Sequence, residues 1–246
     1  MGIECRFVDP SDPQNFARAV DDKTRAFYAE TLPNPKLEVF PIKEVSDIGR
    51  PLGIPLIMDN TAAPVICRPL DHGAAVVMYS TTKYITGNGT SIGGMIIDGG
   101  NFDWEGHKAR QPYLNEPDPS YHGAVWTEAV KPLGPIAYIL KARTTLLRDL
   151  GAPMAPFNAF MAIHGLETVS LRMERHCENA IKVADRLNGH AAIEKVIFPS
   201  LMTGEAKRRA DAYMNGGYGS LMGIILKGGA EAGAKFIDKL QMFYHV

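Results

Sequence analysis

Two short apolar runs, "IPLIMDN" at 54–60 and "GAAVVMYSTT" at 73–82, constrain this chain more than any other feature. Each is nearly continuous in apolar residues and turns polar only at its C-terminal end. A strand with one wet face alternates apolar and polar residues. A strand that stays apolar has both faces covered, as in a parallel sheet packed between helices. "GGMIID" at 93–98 and "RAFYAE" at 25–30 also read as strands. "IKEVSDIGRPLG" at 42–53 reads as a helix running to a glycine stop. Pro33 and Pro35 break regular structure between the first strand and this helix. Strands, helices and short loops in this alternation indicate an α/β fold, a mostly parallel sheet flanked by helices.

From 99 to 132 the chain is rich in Pro, Gly and aromatics and reads as a long loop with short helical pieces. "LGPIAYILKARTTLLRDLG" at 133–151 predicts a helix closed by Gly151. The longest helical pattern follows, from about 153 to 188. Cys177, Ile181, Ala184 and Leu187 share one of its faces, and Glu178 and Lys182 form an i,i+4 pair on another. A helix of that length is expected to leave one domain and enter the next, which divides the chain into residues 1–155 and 156–246. Beyond it "AIEKVIF" and "GSLMGIILK" alternate with "GEAKRRADAY" and "AEAGAKFIDKL" in a strand–helix–strand–helix order.

A formal net charge of −1 gives the chain nothing to draw it to nucleic acid or to an acidic membrane. No apolar run is long enough to span a bilayer, and "MGIECR" lacks the basic and apolar regions of a secretory signal. Cys5, Cys67 and Cys177 are three in number and far apart, so neither a disulfide framework nor a CxxC zinc site is expected. The simplest home is a reducing cytoplasm. Cys67 and Cys177 read as small core residues.

The chemistry is expected at the strand ends, because ligands of an open parallel sheet collect beyond its C-terminal edge. Asp59 ends one strand, and Ser80, Thr81, Thr82 and Lys83 follow another. If the extended geometry persists, Ser80 and Thr82 point one way and Lys83 the other. Nucleotide loops do not fit. Lys83 precedes the glycines that it would follow in a Walker loop, and "GNGTSIG" is one residue too long for GxGxxG. Gly87, Gly89, Gly93 and Gly94 suit a strand-connecting loop. Alone, Lys83 is an ordinary surface charge and Asp59 a turn or cap residue. Together with the hydroxyls they suit a Schiff-base site, in which a desolvated lysine amine attacks an aldehyde. Pyridoxal 5′-phosphate supplies that aldehyde, a phosphate for hydroxyl donors, and a ring nitrogen that stays protonated beside a carboxylate.

The segment "IPLIMDNTAAPVICRPLDHGAAVVMYSTTKYITGNGTSIGGMIID" resembles the pyridoxal-phosphate enzymes of Cys/Met metabolism. "AETLPNP", "NFDWEGH" and "PFNAFMAIHGLETVSLRMERHCENAIKVADRL" extend the likeness over nearly the whole chain. "STTKY" with its upstream "DNT" marks the large family. "GTSIGG", "NFDW" and the insert to "APFNAF" resemble its O-acetylhomoserine sulfhydrylase branch. The resemblance implies the fold of type I pyridoxal-phosphate transferases, here incomplete, with part of a smaller C-terminal domain. It also implies a homo-oligomer. Lys83 would hold the cofactor in a Schiff base and shuttle protons. Asp59 would pair with the ring nitrogen, Ser80 and Thr82 would bind the phosphate, and Asn34 would hydrogen-bond the 3-oxygen; a turn between prolines is the other reading of Asn34. No metal is implied. The implied reaction is γ-replacement, in which sulfide or a small thiol displaces acetate from O-acetylhomoserine to give homocysteine or methionine.

Members of the family are longer. By the same resemblance, a Tyr/Arg pair, a phosphate loop and a stacking aromatic would lie upstream of residue 1. A carboxylate-gripping arginine would lie downstream of "KLQMFYHV". The competing expectation is a shortened, non-catalytic α/β remnant that serves as a binding or assembly module and keeps Lys83 as ancestry.

Overall fold

The computed structural model describes residues 2–244. Four strands form the principal sheet: β1 (Phe27–Glu30), β2 (Leu56–Asp59), β3 (Val76–Ser80) and β4 (Gly94–Asp98). They lie in the order β1-β2-β3-β4. The first two pairings are parallel and β3–β4 is antiparallel. β1 begins two residues later than the sequence suggests, and β3 ends at Ser80 rather than at Thr82.

Burial alternates along β2. Leu56 and Met58 enter the main core, and Ile57 and Asp59 face the other side. An unanticipated first helix, α1 (Gln14–Ala19), buries Phe16 edge-on against Phe27. In α2 (Ile42–Gly49), buried Ile42, Val45, Ser46 and Gly49 fall at i, i+3, i+4 and i+7, the spacing of one helix face. Beyond Gly49 the helix tightens to a 3₁₀ turn, Arg50–Leu52, that stops at left-handed Gly53.

The long irregular segment has its own core on the opposite face of the sheet. Helices α3 (Pro112–Asn115), α4 (Trp126–Ala129) and α5 (Ala137–Lys141) surround Phe102, Trp104 and Trp126, which pack over Ala75 and Val76. Trp104 stacks on Tyr138 at 5.1 Å. The single helix expected from 133 to 151 is instead α5 continued by a π-helical stretch, Ala142–Leu150.

Helix α6 (Pro156–Leu187) has 32 residues and a length of about 48 Å. Its buried stripe runs Ala162, Gly165, Val169, Met173, Cys177, Ala180 and Ala184. Val169, Met173 and Cys177 belong to the main core, whereas Ala180 and Ala184 pack with Val196 and Phe198 in a separate cluster. That cluster underlies a second sheet of β5 (Ile193–Ile197) and β6 (Gly223–Leu226), which pair antiparallel. Helices α7 (Gly204–Tyr213) and α8 (Gly229–Asp238) complete the strand–helix–strand–helix order. Ala210 and Tyr213 of α7 reach into the main core, so α6 is not the only element tying the two sheets together.

Candidate active site

Sheet register brings the polar strand ends to one edge. Glu30 of β1 lies opposite Asp59 of β2, and Asp59 opposite Met78 of β3. Ser80, two residues past Met78, therefore shares the face that carries Asp59. The turn after β2 is pinned by buried Asn60, whose Nδ2 donates to Ala63 O, Cys67 O and Tyr79 Oη. One residue on, the Thr61 amide donates to Asp59 Oδ1 at 2.8 Å, and Thr61 Oγ1 accepts from the Ser80 amide at 2.7 Å. Thr61 thus ties the end of β2 to the end of β3.

Lys83 lies in the connection between the antiparallel pair β3 and β4. Residues Thr81–Ile85 form one π-helical turn, broken at Lys83 itself, which has φ −89° and ψ −118°. The Thr86 amide closes back on Thr81 O at 3.0 Å and the Gly87 amide on Lys83 O at 2.9 Å. Strand alternation therefore stops at Ser80, and the expected common direction of Ser80 and Thr82 is lost. The Thr82 hydroxyl accepts from the Gly93 amide at 3.1 Å and donates to Gly93 O at 3.3 Å, extending the β3–β4 ladder.

A cavity of about 750 Å³ opens at this edge. Asn34, Asp59, Ser80 and Lys83 line it, together with Glu30, Tyr84, Arg172 and His176. Of the five residues expected from sequence, four meet there, and Thr82 is not on the wall. The Lys83 amine makes no hydrogen bond or ion pair among the described residues. Among the described residues, Asp59 Oδ2 has only a long, 3.5 Å contact from the Tyr28 hydroxyl. Partial desolvation of this half-exposed side chain, with the Asp59 and Glu30 charges, pushes the Tyr28 phenol up and keeps it a neutral donor.

Sequence reasoning did not single out Glu30, Tyr84, Arg172 or His176. Tyr84 follows Lys83 directly, and its hydroxyl meets Ser220 Oγ at 2.5 Å. Arg172 and His176 stand one turn apart on α6, and the His176 ring meets Tyr84 edge-on at 5.6 Å. Nothing local in the sequence assigns these α6 residues to the lysine. Thr61 does carry a signal, since it is the third residue of "DNT".

The profile of the Cys/Met metabolism PLP-dependent enzyme family matches residues 1–246. The chain belongs to that family. It is 49% identical over 250 residues to the O-acetyl-L-homoserine sulfhydrylase of Leptospira meyeri, a match that covers 99% of this chain and 56% of the relative. Its identity to the homocysteine synthase of Schizosaccharomyces pombe is 40% over 244 residues, 98% of this chain and 56% of the relative. An O-acetylhomoserine (thiol)-lyase structure from Campylobacter jejuni superposes with a TM-score of 0.91 at 34% identity. That match takes in 100% of this chain and 60% of the other. The chain thus spans a little over half the length of the curated relatives it matches.

The Campylobacter structure carries N′-pyridoxyl-lysine-5′-monophosphate, and the fold seen here is that of type I pyridoxal-phosphate enzymes. The family's cofactor is pyridoxal 5′-phosphate. The cavity fits that group. It presents an unpaired amine on Lys83, a carboxylate oxygen with room for a partner on Asp59, a hydroxyl on Ser80 and an amide on Asn34. Its volume also lies in the range of about 300–1,000 Å³ usual for small-molecule sites. No helix among the described residues is long and apolar enough to cross a membrane.

Proposed function

We propose that this chain carries the cofactor-holding core of a pyridoxal-phosphate γ-replacement enzyme. The substrates on this reading are O-acetylhomoserine and sulfide or a small thiol, and the products are homocysteine or methionine plus acetate. One observation carries it: an unpaired lysine amine and an under-coordinated carboxylate share one cavity at the C-terminal edge of the parallel strands.

Each residue then has a task. Bound pyridoxal phosphate supplies an electron sink for negative charge that develops on substrate carbons. Lys83 Nζ would hold the cofactor through its aldehyde carbon, and its free amine is the group placed to remove and return protons at the substrate's Cα and Cβ. Asp59 Oδ2 would hold a proton on the ring nitrogen and so preserve the sink. Ser80 Oγ would donate to the phosphate, and Asn34 Nδ2 would donate to the 3-oxygen. Thr82 would join the phosphate donors only by giving up its donation to Gly93 O, and it does not line the cavity, so Ser80 is the stronger assignment. The identities to sulfhydrylases and homocysteine synthases support the choice of reaction within the family.

The reading extends to a cytoplasmic homo-oligomer. Phe157, Phe160, Ile163 and Leu166 of α6 are all exposed, which supports association of copies. The same apolar residues favour the second reading, a non-catalytic assembly module.

Titration with pyridoxal phosphate separates the two. An enzyme core develops a visible Schiff-base band that borohydride fixes onto Lys83, and releases homocysteine from O-acetylhomoserine and sulfide. Lys83→Ala is expected to abolish both. Full turnover by Lys83→Ala overturns the lysine's role, and a wild-type chain with neither band nor turnover favours the assembly module.

A further inference from the structure

The turn that presents Lys83 ends in backbone carbonyls with no partners inside it, and they are claimed from a residue far along the chain. Arg172 of α6 donates from Nη1 to Tyr84 O at 2.6 Å and from Nη2 to Ile85 O at 3.1 Å. Its own orientation is fixed from two sides. Nη2 also donates to Gly165 O at 2.8 Å, and Nε donates to Thr168 Oγ1 at 3.1 Å. Four donors of a rigid planar fork are therefore engaged at once, a geometry that lysine, with one flexible ammonium, does not reproduce.

Two glycines make room for this arrangement. A Cβ at Gly165 would lie 2.7 Å from Thr86 O and closer still to Ile85 O, so only glycine lets α6 approach the lysine turn this closely. Gly87 has φ +77°, and a Cβ there would lie 2.7 Å from Arg172 Cζ. The guanidinium is thus enclosed between the helix and the loop. Arg172 lines the same cavity as Lys83, yet its donors point at the backbone on either side of the lysine's turn.

We propose that Arg172 is a positioning residue for Lys83. By fixing the carbonyls of Tyr84 and Ile85, it holds the π-helical turn in the one conformation that delivers the amine into the cavity. The step it serves, attack of the Lys83 amine on the cofactor aldehyde, rests on the function proposed above; the hold on the turn does not.

Two measurements on the full chain test this with Arg172→Met, Arg172→Lys and Thr168→Val. In cofactor-free protein, hydrogen exchange at the amides of Thr86 and Gly87 reports the turn directly, because these amides bond Thr81 O and Lys83 O. Arg172→Met is expected to speed their exchange at least ~10-fold, the ratio equivalent to 1.4 kcal/mol, while the amides of β2 keep their rates. With added pyridoxal phosphate, the rate of appearance of the visible Schiff-base band is expected to fall by a similar factor. Arg172→Lys should recover part of it by donating to one carbonyl. Thr168→Val, which removes only the Nε partner, should shift both readouts the same way by less, and decides the matter if Arg172→Met does not fold. Arg175→Met, on the same helix and paired with Glu178 rather than with the lysine turn, should change neither. Wild-type exchange at Thr86 and Gly87 in Arg172→Met overturns the proposal, as does a wild-type rate of band formation. If the wild-type chain forms no band, the Lys83 assignment falls, and the exchange measurement still decides whether Arg172 holds the turn.

Discussion

Replacing Gly165 with alanine should destabilise this protein, although the same change in an open helix stabilises. Two effects oppose each other. Alanine is favoured over glycine in a helix interior by about 1 kcal/mol, because glycine loses more backbone freedom on folding. Against this, the new Cβ would lie 2.7 Å from Thr86 O and nearer still to Ile85 O. Both atoms belong to the backbone, so no rotamer change relieves the contact; α6 and the loop must separate. Overpacking of this kind costs typically about 1–3 kcal/mol, and a backbone clash belongs at the upper end. The net expectation is a loss of about 2 kcal/mol. For a chain of this size that lowers the melting temperature by roughly 4–8 °C. Gly233 of α8 is the control, since a Cβ there meets nothing within 4 Å. Gly233→Ala should gain up to about 1 kcal/mol. Urea unfolding of the two variants measures both shifts on one scale. Opposite signs are required. If Gly165→Ala matches or exceeds the wild type, the close approach of α6 to residues 85–86 is wrong, and the placement of Arg172 over the lysine turn fails with it.

Three further outcomes are expected. Thr61→Val removes the acceptor of the Ser80 amide while keeping the side-chain shape, so urea unfolding should show a loss of about 1 kcal/mol, the cost of a part-buried amide left unpaired. Burial pushes the Cys67 thiol up to about 12 and raises Cys177 as well, whereas Cys5 is exposed. Alkylation followed by mass spectrometry should therefore add one label to the native chain and three after unfolding. The Trp126 indole and the Lys141 ammonium hold the Asp118 carboxyl below the ordinary aspartate value of 3.8. A depressed native value stabilises the fold above that pH, and the contribution is lost as pH falls through the native value. Tryptophan fluorescence of the wild type should shift only in acid, and Asp118→Asn should show the shifted spectrum at neutral pH.

The sheet was legible because its signal is local. Apolar runs such as Leu56–Met58 and Val76–Val77 are long enough to demand cover on both faces, and the polar residues that end them must fall at the sheet's edge. Asp59, Ser80 and Lys83 follow from that rule without any knowledge of the rest of the chain. The π-helical continuation of α5 was not legible, because "ARTTLLRDL" contains neither proline nor glycine to announce a change of pitch. Helix α1 was missed for a different reason. Six residues carry too short a pattern, and the helix is held by Phe16 packing on Phe27 and Phe40 rather than by its own periodicity.

Thr82 shows where a local rule stops working inside the site itself. Extending strand alternation two residues past Ser80 aims its hydroxyl with that of Ser80. The chain instead turns at Thr81, and Thr82 Oγ1 spends both its bonds on Gly93. What decides the turn is not encoded beside it. Its amides can close on Thr81 O and Lys83 O locally, but its final carbonyls need donors, and these come from a side chain 88 residues after Tyr84. That donor reaches them only because α6 carries glycine at the point of closest approach. The strand pattern therefore brings Lys83 to the sheet's edge, but the direction of its amine is a tertiary property. It is set by the pairing of Arg172 and Gly165, seven residues apart on one helix face, with a turn that neither adjoins in sequence.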